Sequence, residues 1–163
     1  MPIIDALKTV CKNAKGDECY TPEHAITPLL EYLDKDKVYY DCTSGNSLQL
    51  VDTFNRQGFN CKSSGSLDFL KDEVPKDINI IVTNPPYSNK DKFIKKCYDI
   101  GKPFALLLPV ASLQGQYRGK LFNENGIELL VLNKRIDFTG NKSPCFGVAW
   151  FCQNLLPEKL MFK

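Results

Sequence analysis

Histidine is nearly absent from this chain: among 163 residues only position 24 holds one. Seven cysteines are present, at positions 11, 19, 42, 61, 97, 145 and 152, but their number is odd, they are widely spaced, and no Cys-x-x-Cys occurs. The sequence therefore lacks the clustered imidazoles and thiols of a zinc site, and no metal is expected. The same scatter argues for reduced thiols and a cytoplasmic protein rather than a disulfide scaffold. No apolar run reaches the roughly 20 residues that cross a bilayer, and the first residues lack a signal-peptide pattern, so no membrane partner is expected. Strong charge bias is missing as well. A net charge of +2 is not the strongly basic footprint of a protein that coats nucleic acid, though a local basic groove is compatible with it. There is no internal repeat, no low-complexity tract and no insertion large enough for a separate target-recognition domain. With 43% hydrophobic and 25% charged residues, 1–163 is expected to form a single domain, with helices over 1–37 and a sheet core over 38–152.

The most informative stretch is Ile78-Asn79-Ile80-Ile81-Val82-Thr83-Asn84-Pro85-Pro86-Tyr87-Ser88. Five of the six residues from 78 to 83 are β-branched, which predicts a short buried strand. Pro85 and Pro86 carry no N–H and have fixed φ, so the ladder stops there in a rigid turn. In open α/β sheets ligands bind at the carboxyl ends of the strands. This turn offers the Asn84 carboxamide, the Pro85 carbonyl and the aromatic ring of Tyr87. Two neighbouring oxygens can accept both hydrogens of one –NH2 group, and a ring beside them can stack on a flat, extruded base.

Asn84-Pro85-Pro86-Tyr87 resembles motif IV of the S-adenosylmethionine-dependent methyltransferases that act on amino groups. These include N6-adenine DNA methyltransferases, some RNA enzymes and glutamine methyltransferases of release factors. The layout from about residue 20 to 151 is similar to a compact phage-type adenine methyltransferase family. The resemblance implies that Asn84, Pro85 and Tyr87 are catalytic.

Other segments have a plain structural reading beside the one the resemblance implies. In Tyr20-Thr21-Pro22-Glu23, Thr21 suits a helix N-cap and Pro22 the first helical position. The resemblance places Tyr20, Thr21 and Pro22 at the methionine end of the cofactor. Pro28 predicts a kink or break near Thr27. Residues 38–42 read as a strand, followed by the small loop Thr43-Ser44-Gly45-Asn46-Ser47 and a helix through Leu48 to Phe54, an ordinary strand–turn–helix or a nucleotide-binding start. Relatives carry Asp-Pro-x-x-Gly-x-Gly here. Asp41 and Gly45 match, and Ser47 replaces the second glycine, where a Cβ is expected to weaken cofactor binding. Residues 58–63 form a second expected strand, whose end holds Ser63 and Ser64 in place of the acid that normally binds ribose hydroxyls. Asp68 and Phe69 either line the adenine pocket of the cofactor, as the resemblance implies, or cap a helix with Phe69 buried.

Further along, 89–100 is helical by pattern, with Phe93, Ile94, Cys97 and Tyr98 on one face and Lys90, Lys92, Lys95 and Lys96 around it. Those lysines form a solvated face or a path for phosphates. Residues 104–110 suit a central strand buried on both faces. Strands over 127–132 and 146–151 are expected to pair as an antiparallel hairpin at the sheet edge. The expected fold class is α/β: a Rossmann-like methyltransferase sheet, mostly parallel, with an antiparallel C-terminal hairpin. Only 14 residues separate Ser63 from Ile78, so the usual helix and edge strand between strands 2 and 4 are expected to be missing.

The leading functional expectation is methyl transfer from S-adenosylmethionine to an exocyclic amine, N6 of adenine in DNA ahead of RNA, with either loose sequence preference or a second subunit for target recognition. Ser47 and the missing acid motivate the alternative, a degenerate fold that binds nucleic acid or a partner. A glutamine N5 methyltransferase ranks lower, because such enzymes carry a substrate domain.

Overall fold

The protein is described by a computed structural model over residues 20–44, 47–138, 144 and 146–163; the helix expected over 1–15, Gly45, and the turn at 139–143 lie outside the described residues. Helix α1 is Glu23–Leu30. Its cap differs from expectation. Pro22 is itself the N-cap, with extended ψ of 150°, and its carbonyl accepts from Ala25 N at 2.9 Å. Thr21, shifted one place outward, makes no side-chain cap bond and is buried. The pyrrolidine ring fixes φ and leaves ψ free, so a proline can stand at the cap as well as at the first helical position. Pro28 does not break α1, where Thr27 Oγ1 donates to Glu23 O at 3.0 Å.

The remaining elements are β1 (Val38–Asp41), α2 (Gln49–Arg56), β2 (Asn60–Ser63), β3 (Ile80–Thr83), α3 (Lys90–Ile100), β4 (Phe104–Pro109), α4 (Gln116–Asn125), β5 (Glu128–Val131), β6 (Val148–Gln153) and β7 (Leu160–Phe162). Short 3-10 turns at Tyr87–Asn89 and Val110–Leu113 precede α3 and α4. One sheet has the order β2-β1-β3-β4-β6-β5-β7. Strands β1 to β4 are mutually parallel, β6 runs against β4 and β5, and β7 is parallel to β5.

Alternation along the strands divides the core. Ala105 and Leu107 of β4 face Ala25, Ile26 and Leu29 of α1 and Phe54 of α2. Phe104, Leu106 and Leu108 face Phe93, Ile94 and Cys97 of α3 and Leu121 of α4. All six residues of β4 are buried, as a central strand covered on both faces requires. Helix α3 ends at Gly101, whose φ of 72° is left-handed and whose N–H reaches back to Cys97 and Tyr98 carbonyls.

Residues 64–79 hold turns and no helix or strand, so β2 is an edge, as the short spacing predicts. The other edge departs from expectation. The β5–β6 hairpin is antiparallel, but β7 lies outside it and forms the edge. Three residues are too few for a periodic signal, and β7 exists through pairing alone: Leu129 N donates to Lys159 O and Lys163 N to Val131 O, both at 2.9 Å.

Trp150 in β6 is fully buried, and its Nε1–H donates to Ala25 O at 2.8 Å, fixing α1 to the sheet. Trp150→Phe removes that bond and leaves a void. It is expected to lower unfolding free energy by about 2–4 kcal/mol, measured by urea titration.

Candidate active site

Strand order reverses between β1 and β3: β1 continues to β2 on one side, and β3 to β4 on the other. Such a switch point opens a crevice at the carboxyl ends of the two strands. Here β1 ends in Asp41 and β3 in Thr83, with Asn84 next. Asp41 is 4% exposed. Its Oδ1 accepts from Thr83 Oγ1 at 2.6 Å and from Thr43 N at 3.1 Å. The Thr43 hydroxyl lies 2.5 Å from Thr83 Oγ1, 3.4 Å from Asp41 Oδ1 and 3.3 Å from the Asn84 carbonyl. One buried carboxylate thus gathers both strand ends and the backbone of Asn84. Burial pushes the Asp41 carboxyl up to about 6, against the opposing pull of the threonine hydrogen bonds.

A second bridge joins β1 to β2. Ser44 Oγ donates to Asp41 O at 3.1 Å and accepts from Ser64 N at 2.8 Å, with the two hydroxyls 3.2 Å apart. Of the two serines at the end of β2, Ser64 is buried and engaged in the fold, while Ser63 is exposed. Ser47 closes the loop: its N–H reaches Ser44 O at 3.2 Å and its hydroxyl accepts from Gln49 N at 3.4 Å, at the start of α2.

The other predicted cofactor residues are placed as follows. Tyr20 is 56% exposed, Thr21 is buried and Pro22 caps α1. Asp68 opens a single turn, accepting from Leu70 N at 3.0 Å and pairing with Lys71 at 2.9 Å. Lys71 holds its carboxyl below the usual carboxylate range. Phe69 is buried, stacked on Phe93 at 5.2 Å between ring centroids, with Lys96 Nζ 5.4 Å from its ring. Asp68 thus makes its bonds in a turn, where the sequence suggested a helix.

Asn84 stands just past the interior strand β3, with its Oδ1 buried. Pro85 is buried beside it. Tyr87 departs from the expected open stacking face. It is 3% exposed, its ring meets Phe146 edge-on at 6.0 Å, and Phe146 in turn stacks on Phe138 at 6.3 Å. Tyr87 opens the 3-10 turn Tyr87–Asn89, and its ring belongs to the apolar cluster that holds Phe93, Ile94 and Cys97 of α3. Lys90 Nζ donates to Tyr87 O at 3.2 Å and Lys95 pairs with Asp99, so these lysines are engaged within the domain. Among the described residues no group of histidine, cysteine and acidic side chains is arranged to hold a metal.

Sequence reading did not foresee that Thr43 and Thr83 meet at Asp41 or that Ser44 bonds Ser64. Thr83 carried a signal: it is the last β-branched residue before Asn84, polar where the run is otherwise apolar.

This sheet is a Rossmann-like methyltransferase fold. No protein-family model and no curated protein matches the chain. Among solved structures it is similar to a Listeria monocytogenes protein assigned to the class I S-adenosylmethionine-dependent methyltransferases, with TM-score 0.60 and 14% identity over 98% of this chain and 70% of that one. It is also similar, at TM-score 0.46 and 11% identity over 93% of this chain and 97% of that one, to a precorrin-6y C5,15-methyltransferase from Geobacter metallireducens. A third likeness, at TM-score 0.44 and 11% identity over 82% and 63% of the chains, is to P. horikoshii TYW2 in complex with MeSAdo.

Because the folded Asp41 carboxyl titrates near 6 and the unfolded one near its ordinary value, the folded state holds the extra proton between them. Stability should therefore be greatest below pH 4 and fall as pH rises to 6, by about 3 kcal/mol from this group. Asp41→Asn keeps the acceptor oxygen and removes the charge. The wild-type-minus-variant difference in unfolding free energy should show that slope across pH 4–6.5, and no slope would refute the burial cost.

Proposed function

We propose that this chain transfers a methyl group from S-adenosylmethionine to an exocyclic amine, N6 of adenine in DNA being the preferred acceptor. The observation that carries the reading is Asn84, held at the carboxyl end of an interior strand beside the switch point, its carbonyl within reach of the Thr43 hydroxyl. S-adenosylmethionine, when bound, supplies an electrophilic methyl on its sulfonium. The crevice at the ends of β1 and β3 fits such a group by its placement, with loop 43–47 and the Tyr20–Thr21 segment as the residues that would hold it. The acid that usually grips ribose is absent, so binding is expected to be weak.

The residues of the chain then work by positioning. The Asn84 carboxamide oxygen and the Pro85 carbonyl accept the two amine hydrogens, draw the nitrogen toward tetrahedral geometry and aim its lone pair. No general base is needed before the methyl is transferred, because the attacking amine is neutral; its surplus proton leaves afterwards to solvent. Tyr87, buried against Phe146, serves as a wall of the acceptor pocket. A nucleic-acid partner and a second subunit for target choice belong to this proposal.

A second reading is a degenerate fold that binds nucleic acid or a partner without methyl transfer. Ser64 tied to Ser44, where an acid would face ribose, favours it. Calorimetry with S-adenosylmethionine and S-adenosylhomocysteine separates the two, since no heat at millimolar ligand supports the degenerate fold. For the enzyme, Asn84→Ala should cut tritium transfer to adenine-containing DNA on the order of a hundredfold or more while cofactor heat persists. Equal activity in the variant excludes the mechanism. Tyr87→Phe should be mild, and Tyr87→Ala should also destabilise the fold because the ring is part of the core.

A further inference from the structure

We propose that Ser112 is a further acceptor-binding residue, its hydroxyl giving a hydrogen bond to the methyl acceptor beside Asn84; this rests on the transferase reading above. Among the described residues seven polar ones are buried, and of these Asp41, Ser44, Ser64, Thr83 and Ser112 all follow or end strands at the carboxyl edge of the sheet. The first four are hydrogen-bonded to one another or to their loop. Ser112 is the exception. It is 2% exposed, and its Oγ has no hydrogen-bond partner among the described residues. A buried hydroxyl without a partner disfavours folding, and such groups are rare in native proteins unless they serve a ligand or a water.

Its setting points to a ligand. Ser112 sits in the 3-10 turn Val110–Leu113 that leaves β4, and β4 is the neighbour of β3, whose end carries Asn84. The two turns are tied together. Arg118 Nε donates to the Ser112 carbonyl at 2.6 Å, and its Nη1 pairs with Asp91 of α3 at 2.7 Å, the helix that follows Tyr87. The Arg118 guanidinium also reaches Gln114 O and lies across Gly115, where a Cβ would come within 2.6 Å of Nη2. Val110 N bonds Gly147 O at 2.9 Å. The backbone of Ser112 is therefore fixed from two sides while its hydroxyl is left unused. A hydroxyl can both donate and accept, which suits a heteroaromatic ring that presents both kinds of edge beside its amine.

The test uses the full chain saturated with S-adenosylhomocysteine and labelled single-stranded DNA that carries either one adenine or an abasic position. Fluorescence anisotropy gives the preference for adenine over the abasic site. Ser112→Ala should reduce that preference about three- to tenfold, the worth of one neutral hydrogen bond. Its urea midpoint should stay level or rise, because an uncompensated buried hydroxyl has been removed. Ser112→Cys, of similar shape but a weaker donor, should behave alike. An unchanged preference in both variants overturns the assignment and leaves the transferase reading standing. If the wild type shows cofactor heat but no adenine preference, the acceptor class falls and Ser112 with it. Absence of cofactor heat removes the transferase reading itself.

Discussion

The carboxyl edge of this sheet depends on one buried charge. Asp41 closes β1, and its Oδ1 collects the hydroxyl of Thr83 and the amide of Thr43. A carboxylate taken out of water is costly, and the shift to about 6 reports that cost. What offsets it is the joining of the two strands that flank the switch point. The Asp41–Thr83 bond adds to the register of Tyr39 with Ile80 and Tyr40 with Ile81 and to the Thr43–Thr83 contact, which also join β1 and β3. The Asn84 backbone hangs from the same cluster through Thr43, so the ends of β1 and β3 share one hydrogen-bond network.

Much of the fold was legible because the strong signals were local. A β-branched run stopped by two prolines gives an interior strand with a defined end, and an unbroken apolar run gives β4. The gap between Ser63 and Ile78 is too short for a helix and a strand, and chain length alone removes the usual edge. What escaped was set by tertiary pairing. Strand β7 has three residues and owes its existence to β5. The cap at Pro22 depends on a free ψ that no residue preference fixes. In the site, Asn84 could be located because a motif and a strand end coincide. The partners of Asp41 could not, since Thr43 and Thr83 are 40 residues apart and meet only when β1 and β3 pair.

Tyr87 illustrates a conflict between motif and packing. As a sequence element it offers a face to a base; in the fold it belongs to the same apolar cluster as Phe69, Phe93 and Leu121. Its ring cannot at once be a core residue and a freely open platform. The edge-on contact with Phe146 belongs to the first of these roles. Substitutions at Tyr87 therefore mix stability with recognition, whereas Asn84, whose carboxamide lies at the end of a strand, offers a cleaner separation of the two.

The serines and threonines give the crevice its chemical character. After β1 and β2 this chain places Ser47 and Ser64: the Ser47 hydroxyl accepts from Gln49 N, and Ser64 gives its N–H to the Ser44 hydroxyl. Hydroxyl-to-backbone bonds rigidify a loop without adding charge, so the carboxyl ends of β1, β2 and β3 are ordered by neutral groups around a single acid. A rigid, weakly charged crevice gains little from electrostatic attraction to a ligand and more from fixed geometry. That balance suits a reaction whose nucleophile is a neutral amine and whose difficulty is orientation. It also explains why the degenerate reading and the enzymatic one share a scaffold: both rest on the hydroxyl bonds that hold the strand ends together.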